Sequence, residues 1–184
     1  PVVTPKIEVE PVVKEPVEII KTLPASDSAK LVESIISSYK IPNLNAQELA
    51  NIIVSESERY NIDPLLTTAL IYTESTFNRY AQSKSGKVGL MQIYPDDAKE
   101  ITKKLKLSYL GKVTLFHPLY NIKLGLYKLN DLRLKSSGNI EKAVEKYLAT
   151  STAEKTDDDL SSKEYLNKIV EIYNGYQRMR VESP

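Results

Sequence analysis

The stretch "TESTFNRYAQSKSGKVGLMQI", residues 73–93, decides how the rest of the chain is read. It opens on the end of an apolar helical pattern, with Glu74 beside that pattern. A polar loop punctuated by Gly86 and Gly89 follows, and then the apolar run Gly89-Leu90-Met91-Gln92-Ile93, which carries one amide. Upstream, Leu66, Ala69, Leu70, Thr73 and Phe77 share one face of a predicted helix. A rotation of ~100° per residue puts Glu74 on the flank of that face, one turn beyond Leu70. A carboxyl there is half desolvated, and desolvation raises its pKa because the charged form loses hydration it cannot replace. A glutamic acid still protonated near neutral pH suits general-acid cleavage of a glycosidic bond. Periodicity alone favours a plainer alternative, a helix-end carboxylate turned to solvent.

The loop adds weight to the first reading. Gly86 and Gly89 let the backbone turn and approach a ligand closely. Gln92 places an amide among apolar side chains, and a buried amide must find hydrogen bonds. A sugar hydroxyl or N-acetyl group could supply them, as could neighbouring backbone.

On either side the pattern is helical. Asp63 before Pro64 is a cap followed by proline at the first helical position, which starts the helix that ends near Phe77. Asn45 caps an earlier helix carrying Leu49, Ile52 and Ile53. Ser26 or Asp27 opens another with Leu31, Ile35 and Ile36 on one face. Downstream, Pro95 with Asp96 and Asp97 begins a helix to about Leu105, acids in its first turn as the dipole favours. Another starts near Pro118 with the stripe Leu119, Ile122, Leu126 and Leu129, and Gly138 stops it. Asn139 caps a shorter one through Leu148, and Glu164 to about Met179 forms the last. No strand pattern of similar quality occurs after residue 26. The class is mostly α, a compact multi-helix domain of about seven helices over residues 26–184. Residues 1–25 hold five of the ten prolines, with Val, Glu and Lys between them. That composition predicts an extended linker.

The totals exclude several chemistries. The chain has 184 residues, 25 Lys plus Arg and 24 Asp plus Glu, a net charge of +1 that gives no electrostatic reason to expect nucleic acid. Cysteine is absent, which rules out disulfides and thiol catalysis, and the single His117 rules out a multi-histidine zinc site. No metal or cofactor is expected. Asp157, Asp158 and Asp159 read as a solvated loop because no spaced ligand loop surrounds them. No apolar run approaches the ~18 residues that span a bilayer. The start at Pro1 leaves room for a segment upstream.

The Glu74-to-Pro95 block resembles the lytic transglycosylase family of the soluble (SLT, goose-lysozyme-like) type. That family's pattern runs E-S-x-F-x-P-x-A-x-S-x-x-G-x-x-G-L-M-Q, followed by a proline and a helix. The chain matches at Glu74, Ser75, Phe77, Ala81, Ser83, Gly86, Gly89, Leu90, Met91, Gln92 and Pro95. "NIDPLLTTALIYTES" is similar to the lead-in helix, "FHPLYNIKLGLYKLNDL" to an N-I-x-x-G helix and "KEYLNKIVEIY" to the closing helix. The likeness runs over about residues 46–178. Arg79 stands where the family has proline, and Tyr94 where Met is frequent. "KYLAT" replaces A-Y-N-A-G, so that Tyr147 keeps the aromatic while Leu148 and Thr150 depart.

The resemblance implies a lysozyme-like fold and a peptidoglycan substrate, cleaved at the MurNAc–GlcNAc β-1,4 bond without hydrolysis to leave 1,6-anhydroMurNAc ends. Glu74 would be the catalytic acid and then the base. Ser83, Met91, Gln92, Tyr94, Tyr147 and Tyr165 would form the substrate-binding set. Glycan strands would be the partner, in the periplasm or cell envelope of a bacterium, with the chain a monomer and its proline-rich segment a candidate tether to an envelope-spanning assembly. Two other readings stay open: a lysozyme-type hydrolase in which Asp96, Asp97 or another acid holds water, and a glycan-binding module without catalysis, which Leu148 and Thr150 motivate.

Overall fold

A computed structural model describes residues 27–149 and 161–182. The linker over residues 1–25, Thr150 and Asp157 to Asp159 lie outside the described residues. Among the described residues eight helices follow in order: α1 (Asp27–Ser38), α2 (Ala46–Glu58), α3 (Pro64–Ser75), α4 (Pro95–Lys104), α5 (Lys112–Leu115), α6 (Pro118–Leu134), α7 (Ile140–Ala149) and α8 (Ser162–Glu182). Among the described residues there is no strand, only isolated bridges joining Gln82 to Val88 and Val88 to Ile93. The mostly α expectation therefore holds, with one addition. The four-residue α5 is too short to leave a periodic signature.

The caps are those the sequence marks. The Asn45 side chain accepts the Glu48 N–H at 3.1 Å, and Asp63 accepts the Leu65 N–H at 2.9 Å. Each satisfies an orphan donor of a first turn. Asn139 does the same for Lys142 at 2.8 Å. α8 begins two residues before the predicted Glu164 because Ser161 and Glu164 form a capping box. The Ser161 N–H donates to Glu164 at 2.6 Å, and the Glu164 N–H donates to the Ser161 hydroxyl at 3.2 Å.

α3 is the axis of the core. Its sequence reads as amphipathic, yet Leu65, Thr67, Thr68, Ala69, Leu70, Ile71 and Ser75 are all buried. α1, α2 and α8 pack around it and leave little of it to solvent. Its polar residues fit because their hydroxyls are bonded. Thr68 and Ser75 donate to carbonyls one turn back, Pro64 and Ile71, and Ser57 of α2 donates to Thr67 at 2.9 Å. Ile35, Ile53, Leu90, Met91, Ile93, Leu115, Ile122, Leu129, Tyr147 and Ile169 complete a single apolar core. No helix among the described residues is long and apolar enough to cross a membrane.

Candidate active site

Glu74 occupies the last turn of α3, half-buried at the edge of the core. The helix stops abruptly after it. Thr76 and Phe77 both take positive φ, 49° and 60°, and the Thr76 N–H closes the last turn on the Tyr72 carbonyl at 2.8 Å. Left-handed conformation is unfavourable for a β-branched or bulky residue and persists only when the surroundings enforce it. The enforcing contact here is Phe77, which is 1% exposed and packs on the rings of Tyr39 and Tyr72 at 5.5 and 5.8 Å. The reversal fixes where Glu74 ends and where the loop departs.

Residues 78–94 then fold back as a hydrogen-bonded unit. The Ser83 N–H donates to the Lys87 carbonyl at 3.0 Å, and the Ser83 hydroxyl accepts the Lys87 N–H at 2.9 Å. The Gly89 N–H donates to the Ala81 carbonyl at 2.8 Å, while Val88 and Ile93 exchange two bonds at 3.0 Å. Gly89 has φ +83°, and a side chain there would collide with Asn121 and the Leu115 carbonyl. Gln92, 6% exposed and at φ 49°, donates its amide to the Gly89 carbonyl at 2.8 Å and to the Ala81 carbonyl at 3.3 Å. Ser83 and Gln92 thus both hold the loop's shape.

The loop is tied to the core by one buried amide side chain. Asn121 of α6 is fully buried; its side-chain oxygen accepts the Met91 N–H at 2.7 Å, and its amide donates to the Val88 and Leu115 carbonyls at 2.9 Å each. One turn on, Gly125 makes room for Met91, whose sulfur lies 2.5 Å from where a Cβ on Gly125 would stand. Met91 is itself enclosed, and its carbonyl accepts the Tyr147 hydroxyl at 2.7 Å. Tyr147, on α7, is 1% exposed, and burial raises its pKa well above the usual phenol range, with the charges of Glu74 and Asp97 adding to the rise. Tyr94 is half-buried at the start of α4, with the Lys87 ammonium 5.3 Å from its ring centre. Tyr165 is half-buried on the first turn of α8. Leu148 fills core, and Arg79 donates to the Phe116 carbonyl at 3.0 Å.

The electrostatics around Glu74 favour its neutral form. Burial pushes the carboxyl up to about 7, against the pull of the positive charges on Lys87 and Lys128. Lys128 of α6 is held by Asp97 of α4 at 2.6 Å and lies 5.5 Å from the centre of the Tyr147 ring. The two lysines are absent from the sequence-derived site, and Asp97, a candidate there only for holding water in a hydrolase, is instead the partner of Lys128. Lys128 carried a readable signal: it lies three residues past Gly125 and seven past Asn121, on the face of α6 that meets the loop. Asp96 and Asp97 occupy the first turn of α4 as predicted. Among the described residues, no group of three or more His, Asp or Glu side chains could hold a metal ion.

A half-buried acid ending a core helix, followed by a folded loop pinned from beneath, stands in a mostly α domain of lysozyme-like fold. The chain belongs to the Transglycosylase SLT domain family, whose sequence model matches residues 51–170. It is 39% identical over 82 residues to a putative soluble lytic murein transglycosylase of Haemophilus influenzae, covering 45% of this chain and 14% of that protein. It is 34% identical over 116 residues to the membrane-bound lytic murein transglycosylase E of Buchnera aphidicola, covering 60% and 55% of the two. The chain therefore spans about half the length of one of these relatives and much less of the other. An inactive variant of the lytic transglycosylase Slt from Pseudomonas aeruginosa superposes with a TM-score of 0.62 at 20% identity, covering 85% of this chain and 30% of that one.

Proposed function

We propose that this domain is a peptidoglycan lytic transglycosylase, with Glu74 acting first as acid and then as base. The observation that carries the reading is the Glu74 carboxyl, raised to about 7 by burial while standing beside the Gly86–Gln92 loop. Relatives named lytic murein transglycosylases support the substrate class. In the first step the neutral carboxyl gives its proton to the oxygen that bridges MurNAc and GlcNAc, and the bond to the anomeric carbon breaks. Positive charge gathers on that carbon, where the sugar's own N-acetyl oxygen can stabilise it. Glu74, now a carboxylate, takes the proton of the MurNAc C6 hydroxyl, and that oxygen closes on C1 to give the 1,6-anhydro ring. The nucleophile is already part of the substrate, so proximity replaces a held water. One acid suffices where most glycosidases use two.

In this reading Ser83 and Gln92 act by keeping the loop rigid, and Met91 and Tyr147 by fixing its backbone against the core. Tyr94 and Tyr165 offer half-exposed rings to sugar. The working location is the bacterial cell envelope. Mass spectrometry of fragments released from purified sacculi is the test. Anhydro ends that vanish in Glu74→Gln are expected. Reducing ends would indicate a hydrolase instead, and binding without release would indicate a non-catalytic module.

A further inference from the structure

The net charge of +1 hides a separation along the chain. Residues 75–95 hold Arg79, Lys84 and Lys87 and no Asp or Glu; residues 101–130 hold six lysines and no Asp or Glu. Folding joins the two segments at α5. The Tyr80 ring packs on Phe116 at 5.6 Å, and Lys112 donates to Gln82 at 3.2 Å. Arg79 donates through Nε to the Phe116 carbonyl, and its guanidinium lies 5.0 Å from the centre of the Tyr80 ring. At this junction apolar side chains stand in solvent. Leu110 is 78% exposed, Val113 63% and Tyr80 60%, three of the four most exposed large apolar residues among the described residues. One turn gathers them. Thr114 and Leu115 are buried, so α5 turns Val113 outward, with Phe116 one turn on. Leu110 is held to the same turn by its N–H, which donates to the Thr114 hydroxyl at 2.9 Å.

An apolar tip of this kind calls for cover, and its rim says which. Lys103, Lys104 and Lys106 precede Leu110 and Lys112 follows it, all exposed. None of them, nor Arg79, has an ion pair among the described residues, whereas Lys123 and Lys128 are paired with Glu56 and Asp97. We propose that the Leu110–Phe116 turn, with Tyr80 and the lysine rim, docks on the surface of an anionic lipid bilayer. Leu110, Val113 and the Tyr80 ring enter the headgroup layer, which suits an aromatic with a polar tip. The lysines meet the lipid phosphates and keep their own heads in water. A tip of three side chains is smaller than the about 800 Å² a side of a stable protein interface, and lysine is depleted from such interfaces. Contact by charge and shallow insertion needs no spanning helix. The inference concerns where the domain sits and is independent of the chemistry at Glu74. Asn121 joins the two regions, since it bonds both the Leu115 carbonyl of the turn and the Met91 N–H of the loop.

The chain has no tryptophan, so Val113→Trp installs a single fluorescent reporter. Its emission is followed as vesicles of mixed phosphatidylglycerol and phosphatidylcholine, or of phosphatidylcholine alone, are added. Co-sedimentation of the wild-type chain measures binding in parallel. A blue shift, and quenching by brominated acyl chains, are expected with the anionic vesicles only, with binding that weakens as salt rises. Each cation near the surface is worth roughly a factor of five, so Lys104→Gln with Lys106→Gln lowers binding about 25-fold. Leu110→Ser with Val113→Ser lowers it about tenfold or more. All four positions are exposed, and an unchanged thermal midpoint checks that both variants fold. No binding to anionic vesicles, equal binding to neutral ones, or binding that neither pair weakens overturns the proposal. Capture by purified sacculi that both pairs abolish, with vesicles ignored, overturns it in favour of an anionic wall polymer. Muropeptide release from dispersed glycan strands stays at the wild-type rate in both variants; a fall there places the face in the substrate cleft and overturns docking as its role.

Discussion

The two ends of α3 carry the same functional group in opposite states. At the start, Asp63 caps the helix and accepts bonds from the Leu65 N–H, Tyr173 at 3.0 Å, Gln177 at 2.9 Å and Arg180 at 2.9 Å, the last three from α8. Burial pushes its carboxyl up, but the hydrogen bonds of Arg180, Leu65 and Tyr173 and the charge of Arg180 outweigh it, so the group lies below the usual carboxylate range. At the other end, about 18 Å away for twelve residues, Glu74 has burial without such donors and rises to about 7. The helix dipole runs in the same sense, favouring negative charge at the first turn and opposing it at the last. One carboxyl is held ionised and joins helices. The other is left protonated and able to donate.

The comparison can be broken most severely at the Glu74 end. Glu74→Gln removes the proton donor and keeps the shape, so fragment release should fall by about 10²–10⁴-fold, the usual contribution of a positioned acid. Next comes the tie beneath the loop. Asn121→Leu strands the Met91 N–H and the Val88 and Leu115 carbonyls, and should destabilise the fold by about 3 kcal/mol in urea unfolding. A third effect concerns stability against pH. Because the folded Glu74 pKa is raised, its neutral form contributes stability that is complete below the unfolded value near 4.5 and is lost as pH rises through about 7. Glu74→Gln should therefore be more stable than wild type at pH 8, by about 3 kcal/mol, with the advantage gone at pH 4.

The smallest effect belongs to the other end. Asp63 is lowered, so its contribution is present above its unfolded value and fades as pH falls through the folded one. Its partner Arg180 has a side chain 41% exposed, which weakens the pair through solvent screening. Asp63→Asn keeps a capping oxygen and should cost about 1 kcal/mol at pH 7, with the difference from wild type shrinking as pH falls through the lowered Asp63 pKa, by thermal unfolding.

What could be read beforehand was local. Asn45, Asp63-Pro64 and Asn139 announce helix starts, and Glu74 stands out because it closes an apolar pattern before a glycine-punctuated loop. The features that escaped depend on parts of the chain far apart in sequence. Asn121 is one polar residue at the start of a helix until Met91, Val88 and Leu115 are brought to it. Lys87 reads as a loop lysine, and only the packing of α3, α4 and α6 turns it into an enclosed charge. α3 looks amphipathic because bonded threonine and serine hydroxyls are indistinguishable in sequence from exposed ones. α5 is a single turn, below the length at which periodicity exists.

The claim on which the rest depends is that Glu74 keeps its proton near neutral pH because its surroundings are dry. Following its side-chain carboxyl carbon through a pH titration of the wild-type domain, assigned by comparison with Glu74→Gln, tests this directly. A midpoint close to 7 is predicted. A midpoint near 4.5, that of an ordinary solvated glutamate, would contradict it.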